Sequence, residues 1–295
     1  MAQNARQPEV SYNLGYAFQQ LERWEAALAA FTQAVALMPD DLDAVMSRGH
    51  ALANLGRYEA AAADFAKATR LVPQSPDAWN NLGNVLLDLE REVDAIAAYD
   101  QALALRPGFT QVLFNKGKAL GALERYTDAA VAYESALALN PNYEEAKWHL
   151  SWVKLVLGDF AQGWPLFEAR WTVPQLGNQR RYPQLPQWLG KESIAGKSIL
   201  LYAEQGLGDT LQFCRYVPML QGQGAKVSLA VQQPLVGLHR RRSCAAARVA
   251  EAGEVERHHA HDHGREDRPH APVLAECRRH ARLSRRSAGG CPAAG

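Results

Sequence analysis

Asn13, Asn81 and Asn115 stand at one register of a pattern that returns every 34 residues, with Ser47 and His149 in the same place in the other two units. A carboxamide both donates and accepts, so a row of them can pair with the N–H and C=O groups of an extended peptide whatever its side chains. Asparagine is a middling helix former with no packing reason to recur, which makes the recurrence informative. Three residues further on, the register reads Tyr16, His50, Asn84, Lys118 and Trp152. The candidate peptide-contacting residues are therefore Asn13, Tyr16, Asn81, Asn84, Asn115 and Lys118, on a face expected to look into solvent. A second place for chemistry is Glu204-Gln-Gly-Leu-Gly-Asp209. A glycine loop that opens a helix, here through Gly206 and Gly208, presents free N–H groups suited to anionic or polar ligands. Asp209 just before such a helix reads as an N-cap. The cluster His258-His259-Ala-His261-Asp262-His263 has no spacing that organises it on a helix, so no metal site and no cofactor are predicted.

The first set of residues needs a scaffold that repeats, and the sequence supplies one. Glycine falls at Gly15, Gly49, Gly83 and Gly117, an aromatic at Phe31, Phe65, Tyr99 and Tyr133, alanine at Ala34, Ala68, Ala102 and Ala136, and proline at Pro39, Pro73, Pro107 and Pro141. A small residue in the middle of one helix, with Ala27, Ala61, Ala95 and Ala129 early in the next, lets two antiparallel helices approach closely. The aromatic fills the space beside that approach. Proline cannot continue a helix, so it stops the second one and turns the chain into the next unit. One such pair cannot bury its apolar face alone, so the units stack.

This period and these residue types resemble the tetratricopeptide repeat. The resemblance implies a mainly α fold: a helical-hairpin solenoid over residues 8–171, of four full repeats and a degenerate fifth, whose first helices line a concave surface. The asparagine row resembles the ladder in the repeat domain of O-linked N-acetylglucosamine transferases, and implies a protein or extended peptide as partner. Tyr12 and Tyr16 stand where a carboxylate-clamp subfamily puts its first Lys and Asn, so that mode is not expected. In the fifth repeat Ser151 replaces the glycine, Arg170 the late alanine, Pro165 sits inside the second helix, and Trp148, Trp152, Trp164 and Trp171 crowd in. A terminal repeat must cover its open face differently.

Residues 172–192, rich in Pro, Gln, Asn and Arg, read as a linker. Over 193–238, a strand at Ser198-Ile-Leu-Leu-Tyr-Ala203, the glycine loop, a helix from Thr210 to Gln221 and a strand at Lys226-Val-Ser-Leu-Ala-Val231 make a βαβ unit, the building block of a parallel sheet. Gly163-Trp164, Arg170-Trp171, Pro186-Gln-Trp188, Ala195-Gly-Lys197, Ala203-Glu-Gln-Gly-Leu-Gly-Asp209 and Gln212-Phe213-Cys-Arg215-Tyr216 resemble bacterial proteins that join tetratricopeptide repeats to a module like the heptosyltransferases of glycosyltransferase family 9. That resemblance implies a GT-B-like unit with Asp209 as general base on an acceptor hydroxyl, and Gly206 and Gly208 shaping the loop. A carboxylate at a helix N-terminus stays ionised and suits the role. A nucleotide sugar is a partner only where a donor domain is present, and none follows here, so binding is expected of this chain and glycosyl transfer is the alternative.

Residues 239–295 change character: 39 of 57 are Ala, Arg, His, Gly or Pro, five are Val or Leu, and none is aromatic. Such a composition builds no core and predicts a disordered, low-complexity tail; its abruptness suggests a shift of reading frame near residues 238–243. The tail holds 12 Arg against 7 Asp/Glu, leaving the body with 20 basic and 24 acidic residues. An acidic body argues against a nucleic-acid partner, which needs clustered Lys and Arg. Four cysteines without a CxxC pair fit a reducing compartment, and no run of 18 apolar residues or leader occurs, so a cytoplasmic chain without a membrane span is expected.

Overall fold

The computed structural model describes residues 8–176, 182–204, 206–241, 248–251 and 273–276. They fall into two compact units, Met1–Asn178 and Gln179–Gly295.

The first unit is five helical hairpins: α1 (Pro8–Gln20) with α2 (Trp24–Leu37), α3 (Leu42–Asn54) with α4 (Tyr58–Leu71), α5 (Pro76–Asp88) with α6 (Glu92–Leu105), α7 (Thr110–Ala122) with α8 (Tyr126–Leu139), and α9 (Glu144–Val156) with α10 (Phe160–Phe167). Two of the first helices, α3 and α5, start on side-chain caps that the sequence carries. Asp41 accepts from the Ala44 N–H at 2.7 Å, and Ser75 from the Ala78 N–H at 3.2 Å with Pro76 following it; each satisfies a donor that the first turn leaves free. Within every hairpin the first helix ends on a residue in the left-handed region, Glu22, Gly56, Glu90, Glu124 or Gly158, with φ between 55° and 79°. The next N–H then reaches back five residues, as from Arg91 to the Leu86 carbonyl at 2.8 Å, which closes the helix and reverses the chain. Glutamate fills that position three times in five, so no glycine column marked it in the sequence.

The glycine and aromatic columns meet as expected. A methyl group on Gly83 would stand 2.5 Å from the Tyr99 ring, and one on Gly15, Gly49 or Gly117 would stand 2.6 to 2.8 Å from Phe31, Phe65 or Tyr133. Those four rings are at most 2% exposed. Close approach carries over to the seams between hairpins, where Ala44, Ala78, Val112 and Ala146 on the first helices are wholly buried. In the first four hairpins the second helix ends two residues before its proline, at Leu37, Leu71, Leu105 and Leu139. In the fifth hairpin Ser151 takes the glycine's place, fully buried, and satisfies its hydroxyl by donating to the Trp148 carbonyl at 2.6 Å. Arg170, in the alanine register, is 1% exposed: its guanidinium lies 4.4 Å from the Phe167 ring centre and 4.3 Å from that of Trp171, and bonds the Phe167 carbonyl and Glu168. Aromatic faces and two acceptors make such a buried cation tolerable.

In the second unit β1 (Ser198–Tyr202), β2 (Lys226–Val231), β3 (Arg248–Glu251) and β4 (Val273–Glu276) form a parallel sheet in the order β3-β2-β1-β4. Between β1 and β2 run α11 (Leu207–Phe213) and α12 (Val217–Gly222), and α13 (Gln233–Arg241) follows β2. Ile199, Leu201, Val227 and Leu229 pack with Trp188, Ile194 and Leu220 on one face, and Leu200, Tyr202 and Ala230 with Tyr182 and Leu185 on the other. The structure thus departs from the linker expectation: Tyr182, Leu185 and Trp188 are core residues that a Pro- and Gln-rich stretch concealed. β3 and β4 stand in the tail that composition predicts to lack structure, and they hold three of its five aliphatic residues, Val249, Val273 and Leu274. The rest of the tail after Arg241, with the histidine cluster, lies outside the described residues. Among the described residues no helix is long and apolar enough to cross a membrane.

The glycine contact gives a paired test, because Gly83 and Gly121 both sit on first helices but a methyl group on Gly121 would meet nothing within 4 Å. Gly121→Ala should stabilise through helix propensity by about 0.5–1 kcal/mol. Gly83→Ala should lose that gain to overpacking and come out about 1–3 kcal/mol less stable than Gly121→Ala. Equal urea midpoints for the two variants would contradict the packing account.

Candidate functional site

The first helices place registers five, six and nine of each repeat on one face. Across it runs a chain of hydrogen bonds that crosses three seams. Asn81 Nδ2 donates to His50 Nε2 at 3.2 Å, which requires the His50 proton on Nδ1, and Asn80 Nδ2 lies 3.5 Å from Asn81 Oδ1. Asn115 Nδ2 donates to Asn84 Oδ1 at 2.8 Å and lies 3.4 Å from Asn80 Oδ1, while the Tyr99 hydroxyl donates to the same Asn84 oxygen at 2.9 Å. Gln111 Nε2 donates to Asn115 Oδ1 at 3.2 Å, and the Tyr143 hydroxyl to Gln111 Oε1 at 2.9 Å. Burial holds His50 below its ordinary pKa, and so in the neutral form this bond needs.

Asn13 and Lys118 are exposed, Tyr16 is 51% exposed, Asn81 and Asn84 are half-buried, and Asn115 is only 7% exposed. The expectation that all three asparagines of the row face solvent is therefore corrected at Asn115. Its carboxamide is spent on neighbouring repeats, because a polar group at a closely packed seam must find partners there. Sequence reasoning missed Asn80, Gln111, Tyr99 and Tyr143 as members of the network. Asn80 beside Asn81 was the available signal, a polar residue where Tyr12, Phe114 and Trp148 stand in other repeats.

Beyond the network the face changes character. Trp152 is 54% exposed, and Lys118 makes no hydrogen bond or ion pair with any described residue. His149 is pushed down to about 4, chiefly by burial and further by the Lys118 charge, and its ring stacks on Tyr133 and meets Phe114 edge-on. Asp88 is pushed up by burial against the pull of Lys118. Lys118 is thus the charged donor on this stretch, beside a neutral imidazole and a bare indole.

In the second unit Asp209 is half-buried in the first turn of α11, its third residue. The N-cap reading is corrected: the helix begins two residues earlier, with Gly206 in extended geometry as its cap position. A Cβ on Gly206 or Gly208 would meet nothing within 4 Å among the described residues. Thr210 ties the helix to the end of β2, donating to Gln232 Oε1 at 3.0 Å. No group of three or more His, Cys, Asp or Glu among the described residues is placed to hold a metal ion.

Comparison with known proteins bears on the repeats. Models of the tetratricopeptide repeat match residues 5–79, 76–109 and 110–143. The chain is a tetratricopeptide-repeat protein over residues 5–143. Protein FlbA of Caulobacter vibrioides is 34% identical over 94 residues, which are 30% of this chain and 15% of that protein's length. Among solved structures, MamA superposes with a TM-score of 0.52 at 17% identity, covering 56% of this chain and 90% of that one. A MamA fragment from Desulfovibrio magneticus RS-1 gives 0.51 at 22%, over 58% and 94%. YrrB, described as a TPR protein with an unusual peptide-binding site, gives 0.50 at 19%, over 59% and 90%. At such identities the likeness shows the fold alone, and this chain shares the tetratricopeptide solenoid with them.

Because Asn115 bridges repeats, Asn115→Ala strands the buried Asn80 oxygen, removes a donor from Asn84, and should cost about 1–3 kcal/mol of stability. Asn13→Ala, on an exposed side chain, should stay within about 0.5 kcal/mol. Thermal or urea unfolding of the two variants reads the difference; a neutral Asn115→Ala would mean that the network bears no weight.

Proposed function

We propose that this chain is a protein-interaction scaffold and that the first-helix face of its repeats holds an extended segment of a partner protein. The observation that carries the reading is the set of side chains that packing leaves free at register nine: Tyr16 and Trp152, each about half exposed, and Lys118, which pairs with no described residue, beside the half-buried amides of Asn81 and Asn84. Large amphipathic rings next to fixed hydrogen-bonding groups are what a binding surface offers, since the rings give area at little entropic cost and the amides give orientation. The described peptide-binding site of YrrB supports the same use of the shared fold.

The test uses the full chain as bait and titrates a captured partner against variants. Tyr16→Ala and Trp152→Ala should each weaken binding about tenfold, the loss typical of a central aromatic contact. Val131→Ala, on the exposed side of the second helix α8, should leave affinity unchanged. A partner lost with Val131→Ala but kept by both aromatic variants would move the site to the other face.

For the second unit, glycosyl transfer with Asp209 as general base is the alternative we retain. What supports it is position: a carboxylate in the first turn of a helix, beyond the carboxyl end of a parallel strand, where α/β sheets receive their ligands.

A further inference from the structure

We propose that the bound segment is a polyproline II stretch carrying a carboxylate side chain and, three residues away, an apolar one, with the carboxylate on Lys118 and the apolar group on Trp152. This rests on the groove reading above and deepens it.

Lys118 and Trp152 hold the same register on α7 and α9, consecutive first helices. Consecutive first helices lie within side-chain hydrogen-bonding reach, as Asn115 to Asn84 at 2.8 Å shows for α5 and α7. Tyr143, at the threshold of α9, reaches Gln111 of α7 at 2.9 Å. Helices this near have axes about 10 Å apart, so equivalent residues recur along the face at about that interval. A β-strand brings side chains back to one face every ~7 Å and again at ~13 Å, and fits neither. A polyproline II helix rises about 3.1 Å per residue with three residues per turn, so same-face side chains recur every ~9.3 Å. It also has no internal hydrogen bonds, which leaves its carbonyls and N–H groups open to side-chain amides such as those of Asn81 and Asn13.

Charge selects the first anchor. Lys118 is exposed and makes no hydrogen bond or ion pair with any described residue, His149 beside it is kept neutral by burial, and Asp88 lies near without forming an ion pair. A ligand carboxylate therefore finds a cation with its donors free. The second anchor follows from Trp152, whose exposed indole offers an apolar face to proline or an aliphatic side chain.

The experiment titrates the full chain against fluorescein-labelled nonapeptides of proline and serine, read by fluorescence anisotropy. One peptide carries Glu and Leu three residues apart, a second has Gln for Glu, and a third has Glu and Leu two apart. The first should bind about tenfold tighter than either of the others, the scale of one charge-assisted contact. Lys118→Gln should abolish the preference for Glu over Gln, and Trp152→Ala should weaken all three peptides; circular dichroism checks that both variants stay folded. If Glu and Gln peptides bind alike, or spacing has no effect, while Trp152→Ala still weakens them, the charge-and-spacing proposal is overturned and the groove reading stands. Failure of every peptide to bind also overturns it, and the groove reading then stands or falls with the captured partner.

Discussion

The contact between a bare glycine on one helix and an aromatic ring on the next is the constraint on which the rest of this solenoid depends. With no side chain at Gly15, Gly49, Gly83 and Gly117, Phe31, Phe65, Tyr99 and Tyr133 lie against helix backbone and are excluded from water. The hairpin is thereby thin enough for alanine to fill its seams, and Ala27, Ala61, Ala95 and Ala129 are wholly buried. Small residues at a seam fix the helix spacing, and interiors packed this densely tolerate little change in volume. The spacing in turn sets the pitch at which equivalent surface residues repeat. Any ligand that reads this surface must match that pitch.

Close packing has a second consequence, for polar groups. Where first helices come together, a side chain such as Asn115 has no water to bond, so it bonds its neighbours Asn84 and Gln111 instead. The network from His50 to Tyr143 stabilises the stacking of repeats two to five and lies along the face proposed for binding. Its members hold one another in fixed orientations, and such orientation is what a recognition surface requires of its amides. Groups left outside the network, Lys118, Trp152 and Tyr16, are the ones free to meet a partner.

Most of the solenoid was legible in the sequence because its causes are local and recur. The glycine, alanine, aromatic and proline columns each state one packing requirement, and four copies made the period plain. The left-handed turn position leaves no mark in the sequence, since Glu22, Glu90 and Glu124 occupy a place that glycine favours. The candidate site was legible only in part. A register assigns a residue to a face but does not say how deep a seam runs, so the row of asparagines gives no sign that Asn115 is buried. Likewise the aromatic column states a packing need and is silent on the Tyr99 hydroxyl, which reaches Asn84. In the second unit the strands β1 and β2 announced themselves as apolar runs, whereas Tyr182, Leu185 and Trp188 were hidden among prolines and glutamines.

The central claim is that the first-helix face, rather than the second helices or the second unit, holds the partner. Hydrogen–deuterium exchange of the full chain, alone and saturated with its captured partner, addresses it directly. The account predicts that added protection concentrates in the first helices α1, α5, α7 and α9, with little change in α4, α6 and α8. Protection confined to the second helices, or to residues 198–241, would contradict it.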